Sequence, residues 1–217
     1  MFLCFGPINT FDMDLFASEK SKEPIQLPLA NADVVYYPFF FSSEEASKYY
    51  KILLSDTSWQ QDDIKLFGKR YKQPRLAALY GNNNRSYSYS GIKMLPKPFS
   101  KTLKEIKNHI EKVSEVNFTT VLLNLYRDGK DSNGWHSDDE KELGTNPTIA
   151  SISLGANRMF HFKNRKDKNL RYKLLLEHGS LLVMKGSTQH YWQHQLPKST
   201  KVMEPRINLT FRVLHKI

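Results

Sequence analysis

Cysteine is almost absent from this chain, because Cys4 is the only one among 217 residues. A single thiol cannot form an internal disulfide, and without a Cys-x-x-Cys pair a structural zinc site of that type is excluded. The longest apolar run, Val34 to Phe41, is too short to span a bilayer. The N-terminus also lacks the basic and apolar regions of a signal peptide. We therefore expect a protein that is not secreted, cytoplasmic in a bacterium or nuclear in a eukaryote.

Acidic residues are scarce relative to basic ones, with 22 Asp and Glu against 32 Lys and Arg and a formal net charge of +10. Such a balance favours a polyanionic partner, above all nucleic acid, although a basic protein without that role has the same composition. The length suits one domain. Residues 1–30 mix Gly, Pro, Ser, Lys and Glu and suggest a partly flexible arm, which leaves 31–217 as the domain.

Short strand-like segments dominate the second half of the chain. Ser42 and the acids after it predict a helix that runs to about Leu54, and apolar spacing predicts a second helix over 98–116. Strands are predicted at 34–40, 74–80, 121–126, 148–154, 158–163, 172–176, 180–184 and 206–214. The pattern indicates an α+β protein with a mostly β core, a double-stranded β-helix (jelly roll) with helices packed on one sheet.

A His-x-Asp pair and a distant histidine are the main chemical signal. His136 and Asp138 lie one residue apart on an extended segment, so both side chains can grip one ion. With His194 they form the two-histidine, one-carboxylate set that leaves positions open on Fe(II). A zinc hydrolase can use the same ligands, so the triad alone does not identify the metal.

Polar and apolar residues alternate from Arg206 to Arg212, which is typical of a half-buried strand. Arg206, Asn208, Thr210 and Arg212 then share one face. Two guanidinium groups beside a metal suit a dicarboxylate, because arginine binds carboxylates with two hydrogen bonds. Asn124 and Tyr126 alternate in the same way and can complete the anion pocket. Arginines paired with local acids on a surface strand are the alternative.

These motifs, in this order, resemble the AlkB family of Fe(II)- and 2-oxoglutarate-dependent dioxygenases, over roughly residues 33–214. The resemblance implies that His136, Asp138 and His194 bind iron. It also implies that the co-substrate 2-oxoglutarate is held by a second set of residues: Asn124, Tyr126, Arg206, Asn208, Thr210 and Arg212. O2 would be the second co-substrate. Trp135 departs from the duplex-DNA branch of the family, which usually carries an acid just before the first ligand.

A lid over about residues 59–95 also follows from the resemblance, and it would recognise the nucleotide. The implied base pocket contains Arg75, Tyr87, Tyr89, Ser90 and Glu140. Tyrosines suit a flipped base because every base has a π-face, although these two can equally pack a hairpin, and Glu140 can pair at the surface.

Phe67 and Gly68 resemble the tip that fills the gap left by a flipped base in the duplex-DNA branch, unless Phe67 is simply buried. Two basic loops are predicted to contact phosphates and to flank the mouth of the site. Their residues are Arg165, Lys166, Lys168 and Arg171 in one loop, and Lys198 and Lys201 in the other.

The implied function is oxidative demethylation of 1-methyladenine and 3-methylcytosine in DNA, with duplex DNA favoured. The products would be succinate, carbon dioxide and formaldehyde. The same chemistry on RNA or on single strands, or on protein, remains open.

Overall fold

The computed structural model describes residues 23–66, 69–82, 87–89 and 92–215. Three α-helices and one 3-10 helix lie among them. The helices are α1 (Ser43–Asp56), α2 (Lys101–Ser114), α3 (Thr188–Tyr191) and the 3-10 helix Lys141–Leu143. The strands are β1 (Ile25–Gln26), β2 (Asp33–Tyr37), β3 (Asp63–Leu66), β4 (Lys69–Lys72), β5 (Leu76–Gly81), β6 (Tyr87–Tyr89), β7 (Ile92–Met94), β8 (Thr120–Tyr126), β9 (Asn133–His136), β10 (Ile149–Gly155), β11 (Arg158–Asn164), β12 (Arg171–Leu176), β13 (Ser180–Lys185), β14 (Trp192–Leu196) and β15 (Arg206–Arg212).

Both long helices begin directly after a serine that caps them, and α2 begins at Lys101, three residues after the predicted start at 98. The Ser42 hydroxyl accepts from the backbone N–H of Glu45, and the Glu45 carboxylate accepts from the N–H of Ser42. This capping box satisfies two N–H groups that a helix start leaves without partners. Ser100 caps α2 in the simpler way, by accepting from Leu103.

Two antiparallel sheets face each other. The major sheet has the order β1-β2-β13-β10-β15-β8-β5, and the minor sheet has the order β12-β11-β14-β9. Strands that are distant in sequence become neighbours, because β15 lies between β8 and β10 and β14 lies between β9 and β11. This order brings the C-terminal strand into the interior of the major sheet, between β10 and β8.

The core forms two layers, one on each side of the major sheet. Apolar side chains of α1 and α2, such as Leu53 and Ile106, pack on one face of that sheet. The other face packs against the minor sheet through residues such as Leu182 and Phe162. The predicted jelly roll, with its helices on one sheet, is therefore confirmed.

The C-terminal strand differs from the prediction of a half-buried strand, since all seven residues of β15 are buried. Ile207, Leu209 and Phe211 pack toward the helices. The alternate polar residues are buried because they line a chamber between the sheets instead of meeting solvent. The alternation in β15 therefore separates an apolar face that packs toward the helices from a polar face that lines the chamber.

Residues just before the predicted boundary between arm and domain pack against the domain. Leu27 and Leu29 are buried in the layer between the sheets, and β1 pairs with β2. The indole N–H of Trp192 also donates to the carbonyl of Ala30 at 2.9 Å. Two apolar side chains two residues apart anchor this stretch, so the packed chain begins before residue 30.

Two hairpins, β3–β4 and β6–β7, lie within the predicted lid. Phe67, Gly68 and Ser90 lie outside the described residues, and so do the side chains of Tyr87 and Tyr89. No helix in the described part of the chain is long and apolar enough to cross a membrane.

Candidate active site

Three metal-ligating side chains converge between the sheets. His136 ends β9, Asp138 follows it by two residues, and His194 lies in the middle of β14. The pairing of β9 with β14 places His136 directly opposite His194, with 4.3 Å between the ring centroids. One ligand atom from each of the three residues lies within 4.8 Å of the others. The group can therefore hold one metal ion.

The protonation states of these side chains suit a metal. The carbonyl of Gly134 lies 2.8 Å from Nδ1 of His136 and can only accept, so Nδ1 carries the proton and Nε2 has the lone pair. Burial lowers the pKa of His136, and it lowers the pKa of His194 to about 3. Both imidazoles are thus neutral at pH 7, the state that coordinates metals.

Asp138 supplies the negative charge of the site. Burial alone would raise the pKa of its carboxyl, but the neighbouring Arg212 and His194 outweigh burial and lower this pKa to about 2. Nη2 of Arg212 donates to Oδ1 of Asp138 at 2.6 Å, which leaves Oδ2 on the side of His194, 3.7 Å from its Nε2. Arg212 therefore keeps the carboxylate ionised and orients it.

A buried chamber continues from this cluster toward β15 and β8. It contains all nine residues predicted to hold metal or co-substrate, which are Asn124, Tyr126, His136, Asp138, His194, Arg206, Asn208, Thr210 and Arg212. The register explains the convergence, because Arg206 pairs with Tyr126 and Asn208 pairs with Asn124 across the two strands. One wall of the chamber is therefore polar and carries two guanidinium groups.

Arg206 is fully buried without a carboxylate partner among the described residues. Its Nη2 donates to Ser153 and Asn208, both at 2.9 Å, while no described atom accepts from its Nε. Burial lowers its pKa to about 10, so it is still a cation at pH 7. A buried cation of this kind is costly unless an anion joins it. The chamber thus has the chemistry of a carboxylate-binding pocket.

Comparison with known proteins agrees with this geometry. The model of the 2OG-Fe(II) oxygenase superfamily matches residues 18–212. The alpha-ketoglutarate-dependent dioxygenase alkB homolog 3 of Homo sapiens is 42% identical over 202 residues, which cover 87% of this chain and 68% of that protein. The DNA oxidative demethylase ALKBH2 of Mus musculus is 37% identical over 186 residues, which cover 81% of this chain and 78% of that protein.

The chain belongs to the AlkB family of Fe(II)- and 2-oxoglutarate-dependent oxygenases. It is an enzyme that needs Fe(II), 2-oxoglutarate and O2. The solved structure of OsALKBH1 superposes with a TM-score of 0.61 at 19% identity, covering 88% of this chain and all of that one. That likeness concerns the fold.

The residues present fit both groups that the AlkB family requires. Two neutral imidazoles and one carboxylate are the donor set of Fe(II) oxygenases. Nε of Arg206, buried and without a described acceptor, suits one carboxylate of 2-oxoglutarate. Binding of 2-oxoglutarate also explains the two arginines, which a zinc hydrolase would leave unexplained.

Arg75 and Glu140, both predicted for the base pocket, lie differently relative to the chamber. Nε of Arg75 donates to Oδ1 of Asn124 at 2.9 Å, so this buried guanidinium supports the polar wall of the chamber. Glu140 is half-buried at the start of the 3-10 helix and does not appear among the described residues that line the chamber.

The two basic loops lie at opposite ends of β11 and β14. One loop follows Asn164, and the other follows Leu196 at the far end of the same strand pair. Nη1 of Arg165 contacts Oδ2 of Asp139 at 2.7 Å, and Asp139 is the residue next to the predicted ligand Asp138. Lys201 lies against Gly129, in the turn after β8.

Several residues that contact the site are not predicted from the sequence. Ser151 and Ser153 of β10 hold Asn208 and Arg206, and the ring of Phe160 stacks on His194 with centroids 5.3 Å apart. Gln189 accepts from the backbone N–H of Asp138 at 2.9 Å. The sequence gives no signal for these residues, since serine, phenylalanine and glutamine occur in any strand or turn and their place beside the site arises only in the folded chain.

Replacing Gln189 with leucine should weaken metal binding about 10- to 100-fold, the usual cost of losing a residue that orients a ligand. Gln189 is 1% exposed, so the variant would leave the buried N–H of Asp138 without its acceptor. Titration with Fe(II) under nitrogen measures the effect. Gln195→Leu is the matched control, because its side chain lies on the opposite face of β14 from the chamber. Equal metal affinity in both variants would contradict the role of Gln189.

Proposed function

We propose that the protein is an oxidative demethylase that repairs N-alkylated bases, 1-methyladenine and 3-methylcytosine, in DNA. The chamber carries the proposal, because it sets the predicted iron ligands beside two arginines that suit a dicarboxylate. A relative with 37% identity named DNA oxidative demethylase and a net charge of +10 support DNA as substrate. Repair of DNA would place the enzyme in the cytoplasm of a bacterium or the nucleus of a eukaryote.

The protein's contribution is to bind and to orient. His136, Asp138 and His194 would hold Fe(II), and Arg206 and Arg212 would anchor 2-oxoglutarate, with Asn124, Tyr126, Asn208 and Thr210 around it. When held by these three ligands, Fe(II) would supply the activation of O2 that couples decarboxylation of 2-oxoglutarate to hydroxylation of the N-methyl group. One oxygen atom enters succinate and the other enters the methyl group. The bond between the ring nitrogen and the hydroxymethyl carbon then breaks, which releases formaldehyde and the unmodified base.

The substrate base must leave its stack to reach this enclosed chamber. A methyl group on the pairing edge blocks the normal pair and lowers the cost of extrusion. We propose that the lid, about residues 59–95, receives the base through Tyr87, Tyr89 and Ser90, with Glu140 and Arg75 nearby. Phe67 and Gly68 would fill the gap in a duplex. The two basic loops, 165–171 and 198–201, would contact phosphates.

Formaldehyde release from matched 1-methyladenine oligonucleotides, in duplex and single-stranded DNA and in RNA, tests the proposal. We expect turnover that requires both Fe(II) and 2-oxoglutarate. A Phe67→Ala variant should reduce turnover on the duplex more than on the single strand. Equal reduction on both would remove the preference for duplex. No turnover on any nucleic acid, from protein that binds iron and 2-oxoglutarate, would point instead to a protein substrate.

A further inference from the structure

The outer face of the minor sheet carries positive charge without acids. β9, β11, β12 and β14 contain no aspartate or glutamate, and all their residues belong to the described part of the chain. Side chains alternate along a strand, and Phe160 and Phe162 point inward. Met159, His161 and Lys163 of β11 therefore point outward, and so do Arg171, Lys173 and Leu175 of β12.

The cations on this face stand next to one another. Lys163 pairs with Arg171 in the β11–β12 register, and Lys173 lies two residues further along β12 on the same face. Arg171 and Lys173 are exposed, and no ion pair joins Lys163, Arg171 or Lys173 to a carboxylate within the described ranges. Neighbouring cations across a sheet repel one another and are retained at a cost. An anionic partner would remove that cost.

An aromatic ring lies at the other edge of the same face. Nζ of Lys163 is 4.5 Å from the centre of the Trp135 ring. Trp135 immediately precedes His136, which points into the chamber, so the two side chains take opposite faces of β9. The residue that departs from the usual family pattern thus belongs to the basic face.

A surface cavity of about 430 Å³ closes one end of this face. Met159, Leu175 and Met203 contribute apolar side chains to its lining, and Lys198 and Lys201 also line it. Met159 and Leu175 are about 40% exposed, which is unusual for two neighbouring apolar side chains in a sheet. Apolar walls with cations beside them suit a nucleobase and its phosphate.

We propose that this outer face binds single-stranded nucleic acid. The face extends for about 20 Å along β11 at roughly 3.3 Å per residue, and about 14 Å across four strands. It joins the two basic loops at its ends. Cations interleaved with aromatic and apolar side chains are typical of single-strand surfaces, whereas a duplex presents mainly phosphates. The inference rests on the proposed function for its choice of nucleic acid.

The test is a comparison of two double charge reversals. Lys163→Glu with Lys173→Glu alters the proposed face. Lys51→Glu with Lys104→Glu makes the same change in net charge at exposed positions of α1 and α2, on the far side of the major sheet. Fluorescence anisotropy with unmodified oligo-dT and oligo-rU of about 20 nucleotides, longer than common single-strand sites, gives the dissociation constants over a range of salt concentrations.

We expect the first pair to weaken binding at least about 10-fold and to reduce the salt slope by about 1.4, since each phosphate contact on a single strand contributes about 0.7. The second pair should have a much smaller effect. Equal effects of both pairs, or none, would overturn the inference, the latter leaving an acidic protein as the partner of this face. Because the assay uses unmodified strands and no turnover, its result is independent of whether the protein is a demethylase.

Discussion

Replacing Asp138 with alanine should abolish turnover and lower the affinity for Fe(II) by more than about 100-fold, beyond the range seen when only an orienting residue is lost. Asp138 provides the only negative charge among the three predicted ligands. In the native protein, Nη2 of Arg212 lies 2.6 Å from this carboxylate. In the variant, a divalent cation would instead meet two neutral imidazoles and the unneutralised guanidinium of Arg212. Repulsion by that cation in a buried site makes the loss larger than the loss of one ligand.

Asp138→Asn separates charge from shape in this prediction. The amide keeps the size of the side chain and one oxygen, so its metal affinity should lie between those of the native protein and the alanine variant. Asp139→Ala is the matched control, because Asp139 is the adjacent residue but is 45% exposed and pairs with Arg165. Iron titration and succinate release measure all three variants. Native metal affinity in Asp138→Ala would show that the ion binds elsewhere.

The fold could be predicted where one physical rule acts alone. Capping at Ser42 and apolar spacing from Leu103 to Ile110 identified the two long helices, since both signals are local. Strands with apolar inward positions, such as β10 and β13, were equally clear. β9 and β14 were missed. In β14 the inward positions are Trp192, His194 and Leu196, and a histidine at the central position breaks the apolar pattern. The histidine at the site therefore removes the apolar alternation by which β14 could have been predicted.

The sequence predicts the candidate metal and co-substrate residues, but not most of the residues that surround them. The order of the motifs predicted nine of the residues that line the chamber, because each is of a type that can bind a metal or a carboxylate. Partners such as Gln189, Ser151 and Ser153 act only through geometry, since their hydrogen bonds join positions distant in sequence. Pairing of β10 with β15 determines two of them, and this pairing is visible only in the folded chain.

Replacing Arg206 with methionine should remove 2-oxoglutarate binding without destabilising the protein that lacks 2-oxoglutarate. A charge-assisted hydrogen bond contributes about 1.5–3 kcal/mol, and a bidentate pair makes two. We therefore expect the dissociation constant of 2-oxoglutarate to rise by at least about 100-fold. Meanwhile the buried guanidinium, whose Nε lacks an acceptor among the described residues, is itself costly. An unbranched apolar side chain of similar length removes that cost, since apolar replacements of buried charges are often neutral or stabilising.

Thermal unfolding with and without 2-oxoglutarate, under nitrogen and with Fe(II), measures both parts. At 100 times the dissociation constant, the native protein should gain about 2.7 kcal/mol from its ligand, and Arg206→Met should gain almost none. Arg206→Lys is the control that keeps the positive charge. It should retain only part of the ligand-induced shift, because an ammonium group cannot donate two parallel hydrogen bonds to one carboxylate. If 2-oxoglutarate stabilised Arg206→Met as much as the native protein, Arg212 and not Arg206 would be the residue that anchors it. A much lower unfolding temperature without 2-oxoglutarate would show that the bonds to Ser153 and Asn208 make Arg206 a structural residue.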